Sequence, residues 1–212
     1  MFIEADFLTR PSERTFSGPC ADGEHALTIR SGAVRNRYQG RSLPYEPNYL
    51  NAIRLLLEDI KPTVIIELGA LEGGLTAYVS NCLSGFEYDY TILAFDLAGN
   101  PSSRQPVEHS EFLAMDPCMP LPEIEARVTP PDIRDKPIVI LHNVGEHLVD
   151  DMERLDVFLK SGDVVVTNAT MNQADHDALM DWADGRYMVM SRLCDLFGQN
   201  NIQNPNGFLI KA

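Results

Sequence analysis

One stretch of the chain determines the predicted fold class, and it runs Thr63-Val64-Ile65-Ile66-Glu67-Leu68-Gly69-Ala70-Leu71-Glu72-Gly73-Gly74. Its first six residues form a short apolar run rich in β-branched side chains, bounded by Pro62 and Gly69. Such a run is typical of a strand that is buried on both faces. The glycines that follow allow a tight turn, and a helical pattern starts at Gly74. A buried strand that turns directly into a helix predicts the first unit of a parallel α/β sheet.

The alternation of strand and helix continues in both directions from this stretch. Apolar runs predict further strands at 90–95, 111–114, 137–141, 164–167, 187–193 and 207–211. Helical spacing predicts helices at 49–60, 74–83, 146–159 and 173–183. Strands that are connected by helices are expected to be parallel to one another in the sheet. The last two strands have no predicted helix between them and should pair as an antiparallel hairpin. We therefore predict a doubly wound, mostly parallel α/β fold.

The chain divides into two parts by composition. Residues 1–46 are rich in Arg, Ser, Gly and Pro and show no sustained periodicity, which predicts an irregular N-terminal arm. Regular structure begins after Pro47, so residues 47–212 are predicted to form the ligand-binding domain. The whole chain has 212 residues, enough for one α/β domain with a sizeable core.

Composition and charge limit the classes of partner and substrate that the protein is expected to bind. The chain carries 17 Lys and Arg against 31 Asp and Glu, a formal charge of −14, which disfavours nucleic acid and anionic membranes. No apolar run approaches the length of a membrane span and the N-terminus lacks a signal-peptide pattern, so we expect a cytoplasmic protein with a small-molecule substrate. The cysteines form no C-x-x-C pair and are expected to be reduced thiols: Cys20, Cys82, Cys118 and Cys194.

The turn after the first buried strand is the main candidate binding element. A dinucleotide fingerprint would need a glycine two residues after Gly69, where Leu71 stands. The carboxylate of Glu67 would repel a pyrophosphate but suits a cationic ligand, such as the ammonium group of an amino acid. A glycine-rich turn with no ligand is the alternative. The candidate cofactor-binding residues here are Glu67, Gly69, Ala70, Leu71, Gly73 and Gly74.

Two further acids follow the next strands. Asp96 closes the second strand, where an acid typically accepts hydrogen bonds from both ribose hydroxyls, although it could also cap a loop. Asp116 follows the third strand, at the place for an adenine contact, but Asp-Pro is equally a common turn starter. Ammonium, ribose and adenine contacts on three adjacent strands together describe S-adenosylmethionine (SAM).

At these residues the sequence resembles the class I SAM-dependent methyltransferases, and within them the cephalosporin-hydroxylase-like group of natural-product methyltransferases. The resemblance covers roughly residues 36–212 and rests on three stretches: residues 38–44 through 61–74, residues 159–166, and Cys194-Asp195-Leu196-Phe197-Gly198 with Asn204-Pro205-Asn206-Gly207-Phe208-Leu209. It implies a seven-stranded Rossmann-like sheet with SAM over the first two strands.

The sequence departs from this group where a metal would be bound. Members of the group often carry acidic residues after the fourth and fifth strands, where they can hold Mg²⁺ beside the acceptor hydroxyl. Here the fourth strand runs into His142-Asn143 and the fifth into Thr167-Asn168, with Glu146 the nearby acid. Mg²⁺ prefers carboxylates and water, so we expect no metal in the mechanism.

Two histidines are the candidate catalytic bases. Methyl transfer needs a deprotonated nucleophile held close to the methyl carbon, and a histidine can take the acceptor proton near neutral pH. His142 ends a core strand at the ligand-binding edge, although a structural histidine is equally compatible with that place. His147 follows at the start of the next helix, where a structural role is the simpler interpretation.

The sequence thus favours a SAM-dependent methyltransferase that acts on a hydroxyl or an amine of a small acceptor, in natural-product biosynthesis on the evidence of the resemblance. Two alternatives stay open at this point: an enzyme that binds SAM but does not transfer its methyl group, and a degenerate methyltransferase fold that serves as a scaffold subunit. The arm and the hairpin at the sheet edge indicate a homodimer or larger homo-oligomer.

Overall fold

The fold is given by a computed structural model that describes residues 5–16, 32–96, 106–114, 121–128, 136–144, 147–168, 172–196 and 205–212. Its strands are β1 (Leu8–Thr9), β2 (Arg37–Tyr38), β3 (Arg41–Ser42), β4 (Val64–Leu68), β5 (Thr91–Asp96), β6 (Ser110–Ala114), β7 (Val139–His142), β8 (Val164–Thr167), β9 (Tyr187–Met190) and β10 (Phe208–Lys211). Its α-helices are α1 (Pro47–Ile60), α2 (Gly74–Leu83), α3 (Leu121–Val128), α4 (Leu148–Asp156), α5 (Gln173–Ala183) and α6 (Ser191–Cys194).

Eight strands form one sheet, in the order β1-β9-β10-β8-β7-β4-β5-β6. The five strands from β8 to β6 are parallel, and β10 joins them antiparallel to β8 and β9. The predicted doubly wound, mostly parallel sheet with an antiparallel C-terminal hairpin is therefore confirmed. The topology brings the carboxyl ends of β4, β5, β7 and β8 to one edge, which is where ligands bind in open α/β sheets.

Two details of the predicted sheet were wrong. The sheet has eight strands because Leu8 and Thr9 of the arm pair with β9, and a two-residue strand leaves no alternating pattern in the sequence. The hairpin strands are also separated by a helix, because the chain turns into α6 directly after Met190. Four residues make a single helical turn, which is too short to produce a readable period.

The core is formed where the parallel strands are covered by helices on both faces. Every residue of β4, β7 and β8 is buried. Helix α1 buries an apolar stripe on this sheet, starts with Pro47 in its first turn and ends at Lys61 in a left-handed conformation with a φ of 50°. Among the described residues, no helix is long and apolar enough to span a bilayer.

Glu67 and His142 project from opposite faces of this sheet. In the parallel pair of β4 and β7, Glu67 is level with Leu141, the residue before His142, and side chains alternate between faces along a strand. Glu67 contacts Thr76 of α2, whereas His142 contacts Asp151 of α4. Helices α2 and α4 therefore cover opposite faces, and the two side chains can serve one ligand only across the carboxyl edge of the sheet.

Candidate active site

Glu67 is a buried carboxylate at the start of the site. It lies in β4 with 1% of its surface exposed, and its Oε2 accepts a 2.6 Å hydrogen bond from the Thr76 hydroxyl in the first turn of α2. The carboxylate thus lies at the N-terminus of α2, where a negative charge is favoured. Burial, Tyr49 and the charge of Glu67 together raise the pKa of the Tyr45 phenol, so Tyr45 stays a neutral neighbour.

The turn after β4 is fixed to the neighbouring strand. The N–H groups of Gly69 and Ala70 both donate to the carbonyl oxygen of Phe95, at 2.9 and 2.8 Å. Gly69 has a φ of 83°, and a Cβ built there would lie 3.2 Å from the carbonyl oxygen of Asn143. Glycine is therefore required at position 69 both for the backbone conformation and for the close approach of β7.

The second half of the turn is occupied by the arm. Glu72 accepts hydrogen bonds from the Ser42 N–H at 2.7 Å and from Arg37 at 3.3 Å, so the β2–β3 hairpin packs on the turn. A Cβ built at Gly74 would lie 2.0 Å from the Ser42 carbonyl oxygen. The sequence had indicated Gly74 as a cofactor contact, and the structure places the arm directly against it.

Gly73 and Leu71 complete the turn. Gly73 has a φ of 78°, and a Cβ there would lie 2.7 Å from the ring of Phe112. Leu71 adopts a left-handed conformation, with a φ of 49°, and its side chain is half exposed. Gly73 is thus constrained by the ring of Phe112 in β6, whereas Gly69 is constrained by Asn143 after β7. Leu71 is an exposed residue of the turn.

Asp96 lies one residue beyond the carbonyl that holds this turn. It is the last residue of β5 and is 7% exposed. Asp96 therefore follows directly on the residue that holds Gly69 and Ala70, at the carboxyl end of β5. Asp116, the third acid of the sequence prediction, lies outside the described residues, as does Glu146.

His142 is completely buried and has protein groups at both ring nitrogens. Nε2 lies 3.2 Å from Oδ2 of Asp151, and Nδ1 lies 3.4 Å from the hydroxyl oxygen of Thr167. An ionised carboxylate can only accept a hydrogen bond, so Asp151 favours the tautomer with its proton on Nε2. In that tautomer Nδ1 carries the lone pair, and its contact with Thr167 is long for a hydrogen bond.

His147 has a different environment. It caps the N-terminus of α4 in a left-handed conformation, with a φ of 64°. Its side chain is 76% exposed, and its Nδ1 lies 3.8 Å from a carboxylate oxygen of Asp150. The structure therefore separates the two histidines: one is buried between strand and helix, and the other lies on the surface.

Asn143 is a site residue that the sequence did not single out. Its backbone N–H donates to the Leu68 carbonyl oxygen at 2.9 Å, which fixes it at the end of β4. Both polar atoms of its side chain are buried and have no hydrogen-bond partner among the described residues. An asparagine after a strand occurs in many structural roles, so the sequence gives no signal for this residue. Only the burial of its side-chain polar atoms and their lack of partners among the described residues single it out.

The residues at this edge do not fit a magnesium site. Among the described residues, no group of three or more His, Cys, Asp or Glu side chains could hold a metal ion. The ends of β7 and β8 offer an imidazole, two amides and a hydroxyl, and the imidazole already contacts Asp151 and Thr167. Mg²⁺ binds through carboxylates and water, so this donor set is chemically unsuited to it.

The fold and the family match together define the class of protein, a class I SAM-dependent methyltransferase. The model of the family described as Rhamnosyl O-methyltransferase/CmcI matches residues 33–190, three quarters of the chain. The chain therefore belongs to that family, and SAM is its cofactor. Among curated proteins, no relative matches the chain.

Solved structures of CmcI have the same fold. One form, with magnesium and SAM, is 16% identical, with a TM-score of 0.63, over 100% of this chain and 93% of that chain. Another, with S-adenosylhomocysteine, is 14% identical, with a TM-score of 0.61, over 94% of this chain and 98% of that chain. The similarity spans nearly the whole length of each protein.

Proposed function

We propose that this methyltransferase transfers the methyl group of SAM to a hydroxyl of a small acceptor at the carboxyl edge of β4, β5 and β7. The observation that carries the proposal is the fixed turn at Gly69, with the buried Glu67 carboxylate before it and the Asp96 carboxylate on the next strand. Membership of an O-methyltransferase family supports oxygen as the methylated atom.

The cofactor-binding residues in this proposal are those predicted from the sequence. Glu67 supplies negative charge for the ammonium group, and Asp96 accepts from the ribose hydroxyls. Gly69, Ala70 and Leu71 bring the backbone close to the ligand, while Gly73 and Gly74 open α2 beneath it. Asp116 is proposed as the adenine contact. Bound SAM supplies a methyl group on a positively charged sulfur, and the negative charges of acids at this edge are favourable beside it.

The proposed base is His142. As the bond between the acceptor oxygen and the methyl carbon forms and the carbon–sulfur bond breaks, the hydroxyl proton passes to Nδ1 of His142. The resulting imidazolium is stabilised by Asp151, whose carboxylate oxygen lies 3.2 Å from Nε2. For this transfer the acceptor hydroxyl takes the place of the Thr167 hydroxyl, whose contact of 3.4 Å is weak.

The proposed mechanism uses no metal. Among the described residues, the ends of β7 and β8 offer imidazole, amide and hydroxyl groups where a magnesium enzyme needs carboxylates, and the buried histidine–aspartate pair provides the proton acceptor instead. His147 stays the second candidate for the base, because the sequence predicts it and its imidazole is exposed.

A turnover assay with histidine variants tests this proposal. Release of S-adenosylhomocysteine is measured with a panel of hydroxylated acceptors, in EDTA and in Mg²⁺. We expect equal turnover in both buffers, a loss of about 100-fold or more in kcat for His142→Gln, and little change for His147→Gln.

Two outcomes would contradict parts of the proposal. Turnover that requires Mg²⁺ would contradict the metal-free mechanism. Full activity of His142→Gln with inactive His147→Gln would move the base to His147. Because His142 is buried, SAM binding by each variant is measured first, so that misfolding is not mistaken for loss of a base.

A further inference from the structure

The carboxamide of Asn143 is the feature of this edge that the proposed function leaves unused. Its Oδ1 and Nδ2 are both buried, and neither has a hydrogen-bond partner among the described residues. Leaving a buried donor and a buried acceptor unpaired is costly, and native proteins do so rarely outside functional sites. The amide is therefore poised to pair with a group that the protein alone does not contain.

The backbone around Asn143 is rigid. Its N–H is bonded to the Leu68 carbonyl oxygen at 2.9 Å, and its own carbonyl oxygen would lie 3.2 Å from a Cβ at Gly69. On the other side, the Asn168 N–H donates to the His142 carbonyl oxygen at 3.1 Å. Backbone hydrogen bonds thus hold the residue between the ends of β4 and β8.

The order of the strands places Asn143 at the acceptor end of the ligand. Strands β6, β5, β4 and β7 are consecutive neighbours in the sheet. In the proposed function, which this inference depends on, the ribose lies at Asp96 on β5 and the amino-acid part at Glu67 on β4. The next strand in the same direction is β7, so an acceptor that approaches the sulfur-bound methyl group meets Asn143.

We propose that Asn143 binds the acceptor through both atoms of its carboxamide and selects a vicinal diol. Nδ2 donates to the oxygen of the hydroxyl that is methylated, whose own proton passes to His142, and Oδ1 accepts from the neighbouring hydroxyl of the diol. The planar amide presents a donor and an acceptor side by side, which two adjacent oxygens on a ligand can satisfy at once. A lone hydroxyl would leave one of the two buried atoms unpaired, and sites of this kind discriminate strongly against such ligands.

The test compares Asn143→Leu with Asn143→Asp and with a control, Asn81→Leu, at an exposed position of α2. Three quantities are measured for each variant: stability in denaturant, SAM affinity by calorimetry, and turnover of methyl α-L-rhamnoside, catechol and their singly hydroxylated analogues. We expect Asn143→Leu to be at least as stable as the parent and to bind SAM equally well. We expect its KM for the diols to rise at least tenfold, with a smaller rise for Asn143→Asp, which keeps an acceptor oxygen.

Several results would overturn the inference. Lower stability of Asn143→Leu would show a structural amide, and weaker SAM binding would assign the amide to the cofactor. Unchanged KM values, or parent turnover of single alcohols in preference to diols, would remove its role in acceptor choice. A parent protein that binds SAM but methylates no alcohol in the panel also overturns the inference, whereas a parent that fails to bind SAM contradicts the proposed function itself.

Discussion

At the scale of single residues, the sequence can locate a residue near the end of a strand but cannot show what packs against a glycine. Glu67 and Asp96 end buried strands, and strand ends can be read from β-branched runs. The Ser42 carbonyl oxygen packs closely on Gly74, a residue 32 positions away in the chain. No local sequence pattern shows such a contact. For the same reason the two buried neighbours of His142, Asp151 and Thr167, could not be assigned from the sequence.

Gly74→Ala tests the contact between the arm and α2. The added Cβ would lie 2.0 Å from the Ser42 carbonyl oxygen, so the hairpin has to move. We expect a loss of about 1–3 kcal/mol in the free energy of unfolding, typical of overpacking, measured by denaturant titration. In the control, Gly85→Ala, a Cβ meets nothing within 4 Å. Equal stability of the Gly74 and Gly85 variants would show that the arm does not press on the helix.

At the scale of elements, the buried strands were predicted from continuous apolar runs, and the amphipathic helices from a period that their residues repeat several times. The helix at 173–183 was predicted with the bounds the structure has, whereas β1 and α6 were missed because two and four residues carry no period.

Contacts between elements also cannot be predicted from the sequence, and the end of α4 gives an example. Asp156 there accepts hydrogen bonds from Tyr187 of β9, at 2.8 Å, and from Lys211 of β10, at 2.7 Å.

Asp156→Asn tests how this contact stabilises the antiparallel edge. Burial alone would raise the pKa of Asp156, but the hydrogen bonds from Lys211 and Tyr187 outweigh it, so the pKa is lowered on folding. A carboxyl pKa that is lowered on folding stabilises the folded state at pH values above the ordinary carboxyl pKa of about 4. This stabilisation is lost as the pH falls through the lowered pKa.

We expect Asp156→Asn to lower the free energy of unfolding by about 1 kcal/mol at pH 7. We expect this difference in stability from the parent to shrink below pH 4. The measurement is denaturant unfolding across that range, with Asp150→Asn, whose carboxylate is exposed, as the control. A difference that is independent of pH would contradict the assigned role of the charge.

At the scale of the whole molecule, the N-terminal arm is tied to the C-terminal part of the sheet. Arg14 donates to both carboxylate oxygens of Asp195, at 2.7 and 2.8 Å, and to Oδ1 of Asn206 at 2.7 Å. Composition predicted an irregular arm and could not show that Leu8 and Thr9 join the sheet, because pairing partners 180 residues apart leave no local signal. Self-association stays a prediction from the sequence, and light scattering would test it.

Arg14→Gln tests this long-range tie. Paired charge-assisted hydrogen bonds are the stronger kind, and the Arg14 side chain is 10% exposed, so the variant should lose about 1–3 kcal/mol of stability. Thermal unfolding provides the measurement, and Arg35→Gln, at an exposed position, is the control. Equal melting temperatures for the two variants would mean that the arm contributes nothing to the stability of the domain.

The measurement that tests the central claim most directly is calorimetric titration of SAM into the parent protein and into Asp96→Ala and Gly69→Val, each in EDTA and in Mg²⁺. The account predicts that the parent binds SAM with the same affinity in both buffers. It also predicts at least tenfold weaker binding for both variants, because one removes the ribose acceptor and the other blocks the turn against Asn143. Unchanged affinity in both variants, or binding by the parent only when Mg²⁺ is present, would contradict the account.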